Sequence, residues 1–193
     1  MAMTKDKLGD IETSVMEVRS FDSRISLQEY KELKKNPLYI ILDNLRSAFN
    51  VGAIFRTCDA LRVSGLFLCG YTAYPPHIKL QKTSMGTIDY VPWKHFDKSV
   101  DAVKFLQEQQ IPVWAAETTS KSQCFYDVKY PEKLGVVFGN EALGVSREVV
   151  EMCDNLIEIP LWGFKNSLNV ATSCGIIGFS VIEKMAKAKA DSE

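Results

Sequence analysis

The feature that most constrains this chain is a series of short, mainly apolar runs: Leu38–Leu42, Leu66–Cys69, Val113–Ala116, Gly135–Phe138 and Leu156–Ile159. Runs of this length without alternation suit strands buried on both faces, as in parallel sheets. Helical patterns lie between several of them. Val51, Ile54, Phe55, Cys58 and Leu61 follow i, i+3, i+4, i+7 spacing, and Val100, Val103 and Leu106 recur every third residue. Another helix begins at Ser146, with Val149, Val150 and Cys153 on one side. The last runs from about Leu168 to Ala188, with Ala171, Cys174, Val181, Ile182 and Met185 inward. Strands alternating with helices predict an α/β domain whose mostly parallel sheet is flanked by helices.

Before the first run the chain is charged in both signs. Ser26-Leu27-Gln28-Glu29 is a capping box, so a short helix over Leu27–Lys35 is expected, stopped at Asn36-Pro37. Residues 1–36 thus read as an N-terminal arm with a short helix, and residues 37–193 as the main domain. No apolar stretch reaches the roughly 18–20 residues of a membrane span. Charges stand where a signal peptide has its apolar region, which predicts a soluble, non-secreted, cytoplasmic protein. Five widely spaced cysteines without a C-x-x-C, and two histidines without H-E-x-x-H, predict neither a disulfide framework nor a metal site. Lys plus Arg number 23 against 24 Asp plus Glu. A bulk electrostatic grip on nucleic acid is not indicated, and an RNA partner would need a local basic patch.

Ligands of open α/β sheets bind beyond the carboxyl ends of the strands. Three such segments stand out. In Asp43–Thr57, Asn50 sits where a helix N-cap belongs, and Arg56 falls opposite the centre of the apolar stripe. In Phe138–Ser146, Gly139 and Gly144 bracket Asn140 and Glu141. The Lys-Ser/Thr of a phosphate-binding P-loop is missing, which leaves a glycine where a backbone can approach a ligand, beside an acidic residue. In Ile159–Ala171, Ser167 and Asn169 flank Leu168 at the mouth of the last helix, whose first N–H groups lack intrahelical partners. Singly, each segment is also explained as helix capping and solvated charge.

In this order, the three resemble the motifs of the SpoU-type RNA 2′-O-ribose methyltransferases of the SPOUT superfamily. Asn50 and Arg56 stand at the marked positions of an N-x-x-x-x-x-R segment. Asn140, Glu141 and Gly144 match G-N-E-x-x-G, and Ser167–Ala171 matches S-L-N-V-A. Lys82–Gly86, followed by Val91-Pro92-Trp93, resembles the family's middle loop. The resemblance spans about Leu38 to Lys187.

The resemblance implies a C-terminal trefoil knot, S-adenosylmethionine as cofactor, a homodimer with the active site completed at the interface, and a tRNA or rRNA substrate. It places the cofactor near Thr118, Gly139, Ile159 and Leu168. It gives catalytic roles to Arg56, Asn50, Glu141, Ser167 and Asn169. Arg46, Arg56, Lys79 and Lys82 are candidate phosphate contacts, with ordinary solvated charge as the alternative, the better one for Lys79 and an even one for Lys82. A different class of function, a non-catalytic RNA-binding or assembly protein that retains the fold, stays open.

Overall fold

The computed structural model describes residues 25–191. The described residues up to Leu33 belong to one compact unit and those from Lys34 onward to another. The first contains α1 (Leu27–Glu32), which starts on the expected capping box: Glu29 N–H donates to Ser26 Oγ, and Ser26 N–H to Glu29 Oε2. It ends before the expected Lys35, and Asn36 already begins β1. Most of the arm lies outside the described residues.

The second unit is built on seven parallel strands in the order β3-β2-β1-β6-β4-β7-β5. They are β1 (Asn36–Asp43), β2 (Val63–Cys69), β3 (Trp93–Phe96), β4 (Val113–Ala116), β5 (Gln123–Cys124), β6 (Leu134–Phe138) and β7 (Asn155–Glu158). The helices are α2 (Ala48–Ala60), α3 (Ile78–Ser84), α4 (Ser99–Gln107), α5 (Arg147–Met152) and α6 (Val170–Ala190).

Alternate residues of the central strands serve opposite faces, as the pleat requires. Leu38, Ile40 and Leu42 of β1, with Leu134, Val136 and Phe138 of β6, join the core under α2 and α6. Ile41 and Val137 join the second core, under α4 and α5. Both faces are therefore covered, which is why the strand runs are unbroken rather than alternating.

The edge strands β3 and β5 carry no continuous apolar run, and no expectation covers them. Two further expectations are corrected. The stretch expected as a middle loop from Lys82 is partly helical, since α3 continues to Ser84. The N-cap of α2 is Ser47, whose Oγ accepts the Asn50 N–H, so Asn50 lies within the first turn instead of capping it.

Candidate active site

The carboxyl ends of β6, β4 and β7, together with the start of α6, enclose a cleft of about 410 Å³. Thr118, Gly139, Ile159 and Leu168, the four residues expected to hold a cofactor, all line it. Glu141 and Ser167 line it too. Its size falls within the roughly 300–1,000 Å³ usual for small-molecule sites.

Gly139 is required for a reason other than ligand approach. A Cβ there would lie 2.1 Å from both the Gly144 carbonyl carbon and the Val145 nitrogen, so the chain's own return leaves no room for a side chain. Asn140 and Gly144 pair their backbones in both directions across this tight loop. Gly144 has φ +72°, the left-handed region that favours glycine. The Asn140 side chain, nearly buried, holds the loop from inside. Its Oδ1 accepts from Ala142 and Leu143 N–H, and its Nδ2 donates to the Asn44 carbonyl and the Tyr71 hydroxyl.

At the mouth of the cleft the three sequence segments meet. Glu141 Oε1 accepts from Asn50 Nδ2 at 2.8 Å and from Ser47 N–H at 3.1 Å, and Oε2 accepts from Arg46 N–H at 2.8 Å. Asn169 Nδ2 donates to Asn50 Oδ1 at 3.1 Å, while Asn169 Oδ1 caps α6 by accepting from Ala171 and Thr172 N–H. Burial raises the Glu141 pKa, but the hydrogen bonds, led by that from Arg46 N–H, outweigh it and hold the carboxyl below its usual range.

Two acidic side chains beyond the expected set belong to this region. Glu117 lines the cleft, and its carboxylate accepts from Val145 N–H and Thr118 N–H. Asp43, buried at the end of β1, accepts from Ser99 Oγ, Asn44 Nδ2 and Ser146 N–H. Their sequence signal was position: each is a carboxylate at or just past the end of an apolar run. Ser146 is the N-cap residue of α5 as expected, though its side chain makes no capping bond.

Arg56 stands apart. It is exposed on α2, lines neither this cleft nor the one beside Arg46, and has no side-chain hydrogen bond or ion pair among the described residues. Six residues beyond Asn50, it lies roughly 120° around the helix and about 9 Å along it. Ser167 likewise has no side-chain hydrogen bond among the described residues. Lys82 is exposed on α3 and lines neither cleft, whereas Arg46 lines a second one.

Burial pushes the thiols of Cys69, Cys153 and Cys174 up to about 12, so none is a thiolate nucleophile at neutral pH. Among the described residues no group of three or more His, Cys, Asp or Glu is placed to hold a metal ion, and no helix is long and apolar enough to cross a membrane.

Residues 37–179 match the model of the SpoU rRNA Methylase family. The chain is 33% identical over 165 residues to a tRNA (guanosine(18)-2′-O)-methyltransferase of Aquifex aeolicus, covering 84% of this chain and 77% of that one. Its fold resembles the crystal structure of the A. aeolicus TrmH/SpoU tRNA modifying enzyme, with a TM-score of 0.75, 29% identity, and coverage of 86% and 84% of the two chains. An AdoMet-bound rRNA methyltransferase from Sinorhizobium meliloti superposes with a TM-score of 0.72 at 25% identity, covering 80% of this chain and 59% of that one.

Proposed function

The chain belongs to the SpoU rRNA methylase family, and from that premise we propose that it transfers the methyl group of S-adenosylmethionine to a ribose 2′-hydroxyl of tRNA or rRNA. The observation that carries the reading is the bonded set Asn169–Asn50–Glu141 at the mouth of the cleft. It joins all three family motifs in one place.

The cleft suits the cofactor. Ile159, Leu161 and Leu168 offer apolar surface to a nucleoside, and the carboxylates of Glu117 and Glu141 set a negative field for a sulfonium cation. Thr118, Gly139, Ile159 and Leu168, which all line the cleft, would hold it. When bound, it supplies an electrophilic methyl group on a good leaving group. The protein's task is to place the hydroxyl in line with that methyl and to ease loss of its proton.

Asn50 and Asn169 orient the ribose, and the free hydroxyl of Ser167 adds a further polar contact. Glu141 fixes the Arg46–Asn50 turn. Its lowered pKa makes it a poor base, so its part is positioning and charge. Arg56 anchors an RNA phosphate and polarises the 2′-hydroxyl. A guanidinium stays protonated and only donates, so the proton leaves to another acceptor.

Arg56 does not meet the cleft of its own chain, which supports a homodimer in which it serves the partner's cleft. The α6 face supports the same arrangement: Ile176 and Phe179 are exposed beside the buried Ile177. A helix apolar on more than one face needs a second surface. The trefoil knot, phosphate contacts from Arg46 and Lys82, and a cytoplasmic location complete the reading.

The test is a map of 2′-O-methyl sites in total RNA from cells with and without the gene, paired with labelled methyl transfer by the purified protein. One or more sites should vanish in the deletion and be restored in vitro. An unchanged map with no transfer would favour the non-catalytic RNA-binding reading.

A further inference from the structure

A second cleft, of about 580 Å³, opens beside the first, over the carboxyl ends of β1 and β2. The two have opposite character. The cofactor cleft includes Glu117, Glu141 and Glu158, whereas no carboxylate lines the second. Its walls carry Arg46, Lys79 and His77 together with Phe49, Tyr71 and Tyr74.

The aromatic rings are unusually open for their size. Phe49 is 61% exposed, Tyr71 62% and Tyr74 44%. Two of them are held in place. The Tyr71 hydroxyl accepts from Asn140 Nδ2 at 2.7 Å, and the Tyr74 ring stacks on His95 with centroids 4.0 Å apart. The side chains of Arg46 and Lys79 have no hydrogen bond or ion pair among the described residues. His77 Nδ1 is shielded from solvent and has no hydrogen-bond partner among the described residues. Fixed rings with free cations match the chemistry of an unstacked nucleotide: a base for the rings and a phosphate for the cations.

The clefts are also mechanically joined. Arg46 and Ser47 line the second cleft, yet their N–H groups are held by Glu141 of the first. Asn140 links the motif loop to Tyr71. We propose that the second cleft takes a single unstacked nucleotide next to the one that is methylated, its base against Tyr71 and Tyr74 and its phosphate on Arg46 and Lys79. This rests on the RNA methyl-transfer reading. It adds that substrate choice is made partly by a flanking nucleotide, inside the methyltransferase domain itself.

The test uses the full-length protein and RNA extracted from cells lacking the gene. Methyl transfer is measured for the parent, Tyr74→Ala, Tyr74→Trp and Lys79→Ala, with cofactor affinity by calorimetry and mass by light scattering. Tyr74→Ala and Lys79→Ala should each raise the KM for RNA by about tenfold, with kcat and cofactor affinity changed far less. Tyr74→Trp, which keeps a stacking surface, should restore the parent KM. An unchanged KM in both alanine variants overturns the proposal, as does a change of mass, which would give the cleft to a second copy of the chain. A parent that transfers no methyl group at all fails the underlying reading instead, and that result is seen before any variant is compared.

Discussion

The mouth of the cleft at the ends of β6, β4 and β7 and the outer face of α2 carry the two halves of one expected active site, and they are built in opposite ways. Around Glu141, every expected residue but Ser167 is tied to a neighbour: Asn50 to Glu141, Asn169 to Asn50, and the Arg46–Ser47 turn to the carboxylate. Arg56, six residues from Asn50 on the same helix, touches none of this and points into solvent. A half that is bonded within the chain cannot be altered without disturbing the fold nearby. A half left open can be removed cleanly, and it acts only on what is brought to it.

The largest effect should therefore come from the open half. Arg56→Ala is expected to reduce methyl transfer by about 10²–10³-fold, the scale of losing one transition-state donor. Stability should move by about 0.5 kcal/mol or less, and cofactor affinity should hold. Arg56→Lys should recover little, because an ammonium lacks the planar two-pronged contact with phosphate. Melting curves, calorimetry and a transfer assay check these together; parent-level transfer by Arg56→Ala would sink the catalytic assignment.

Mixing sharpens the comparison. Arg56→Ala and Glu141→Ala chains, unfolded and refolded together, should recover about a quarter of the parent activity, since half the dimers are mixed and each holds one intact composite site. If Arg56 serves its own chain's cleft, the mixture stays as inactive as the separate variants.

On the bonded half, effects on activity and stability should travel together. Glu141→Ala should lower kcat by about tenfold or more and cost about 1 kcal/mol, because the Arg46 and Ser47 N–H groups lose their acceptor. Asn169→Ala should cost about 1 kcal/mol as a lost N-cap. Asn169→Asp keeps the capping oxygen but cannot donate to Asn50, so it should stay near parent stability while losing activity. Denaturant titration beside kcat separates the two; equal activity in Asn169→Asp and the parent would show that the Asn50 bond is dispensable.

The smallest effect is the pH dependence of Glu141. Its folded pKa is depressed, so its contribution is fully present above the unfolded value of about 4.3 and is lost as pH falls through the folded value. The stability gap between the parent and Glu141→Gln should be constant from pH 7 to about 5 and close only as the pH falls below the unfolded value. The group is exposed, so the gap should be about 1 kcal/mol at most. A gap that widens on acidification would reverse the assignment.

The central strands were legible because burial on both faces leaves an unbroken apolar run, and all five such runs are strands. Edge strands lack that constraint: β3 contains the exposed Lys94, and β5 is two residues long. Helix α3 buries only Leu80 and Ser84, too little to leave a period. The start of α2 was misplaced for a related reason. Its apolar stripe begins at Val51, but Ser47 and the distant Glu141 supply the acceptors that let the helix begin a turn earlier.

What the sequence alone determined was where the buried strands end and that Arg56 turns from the core, because strand burial, helical phase and strand-end position are all read within one element. The four residues that line the first cleft and the Asn–Glu–Asn set at its mouth were named through the family resemblance, since singly each segment also reads as helix capping and solvated charge. Only the tertiary structure decided which of these residues act together. Asn50 meets Glu141 across 91 positions and Asn169 across 119. A side chain at Gly139 is excluded by the chain's own return at Gly144 and Val145. The second cleft, whose Tyr71 and Tyr74 gave no signal singly, exists because parallel order sets the ends of β1 and β2 side by side. Such contacts form only when distant strand ends are gathered at one edge, and no periodicity within an element records them.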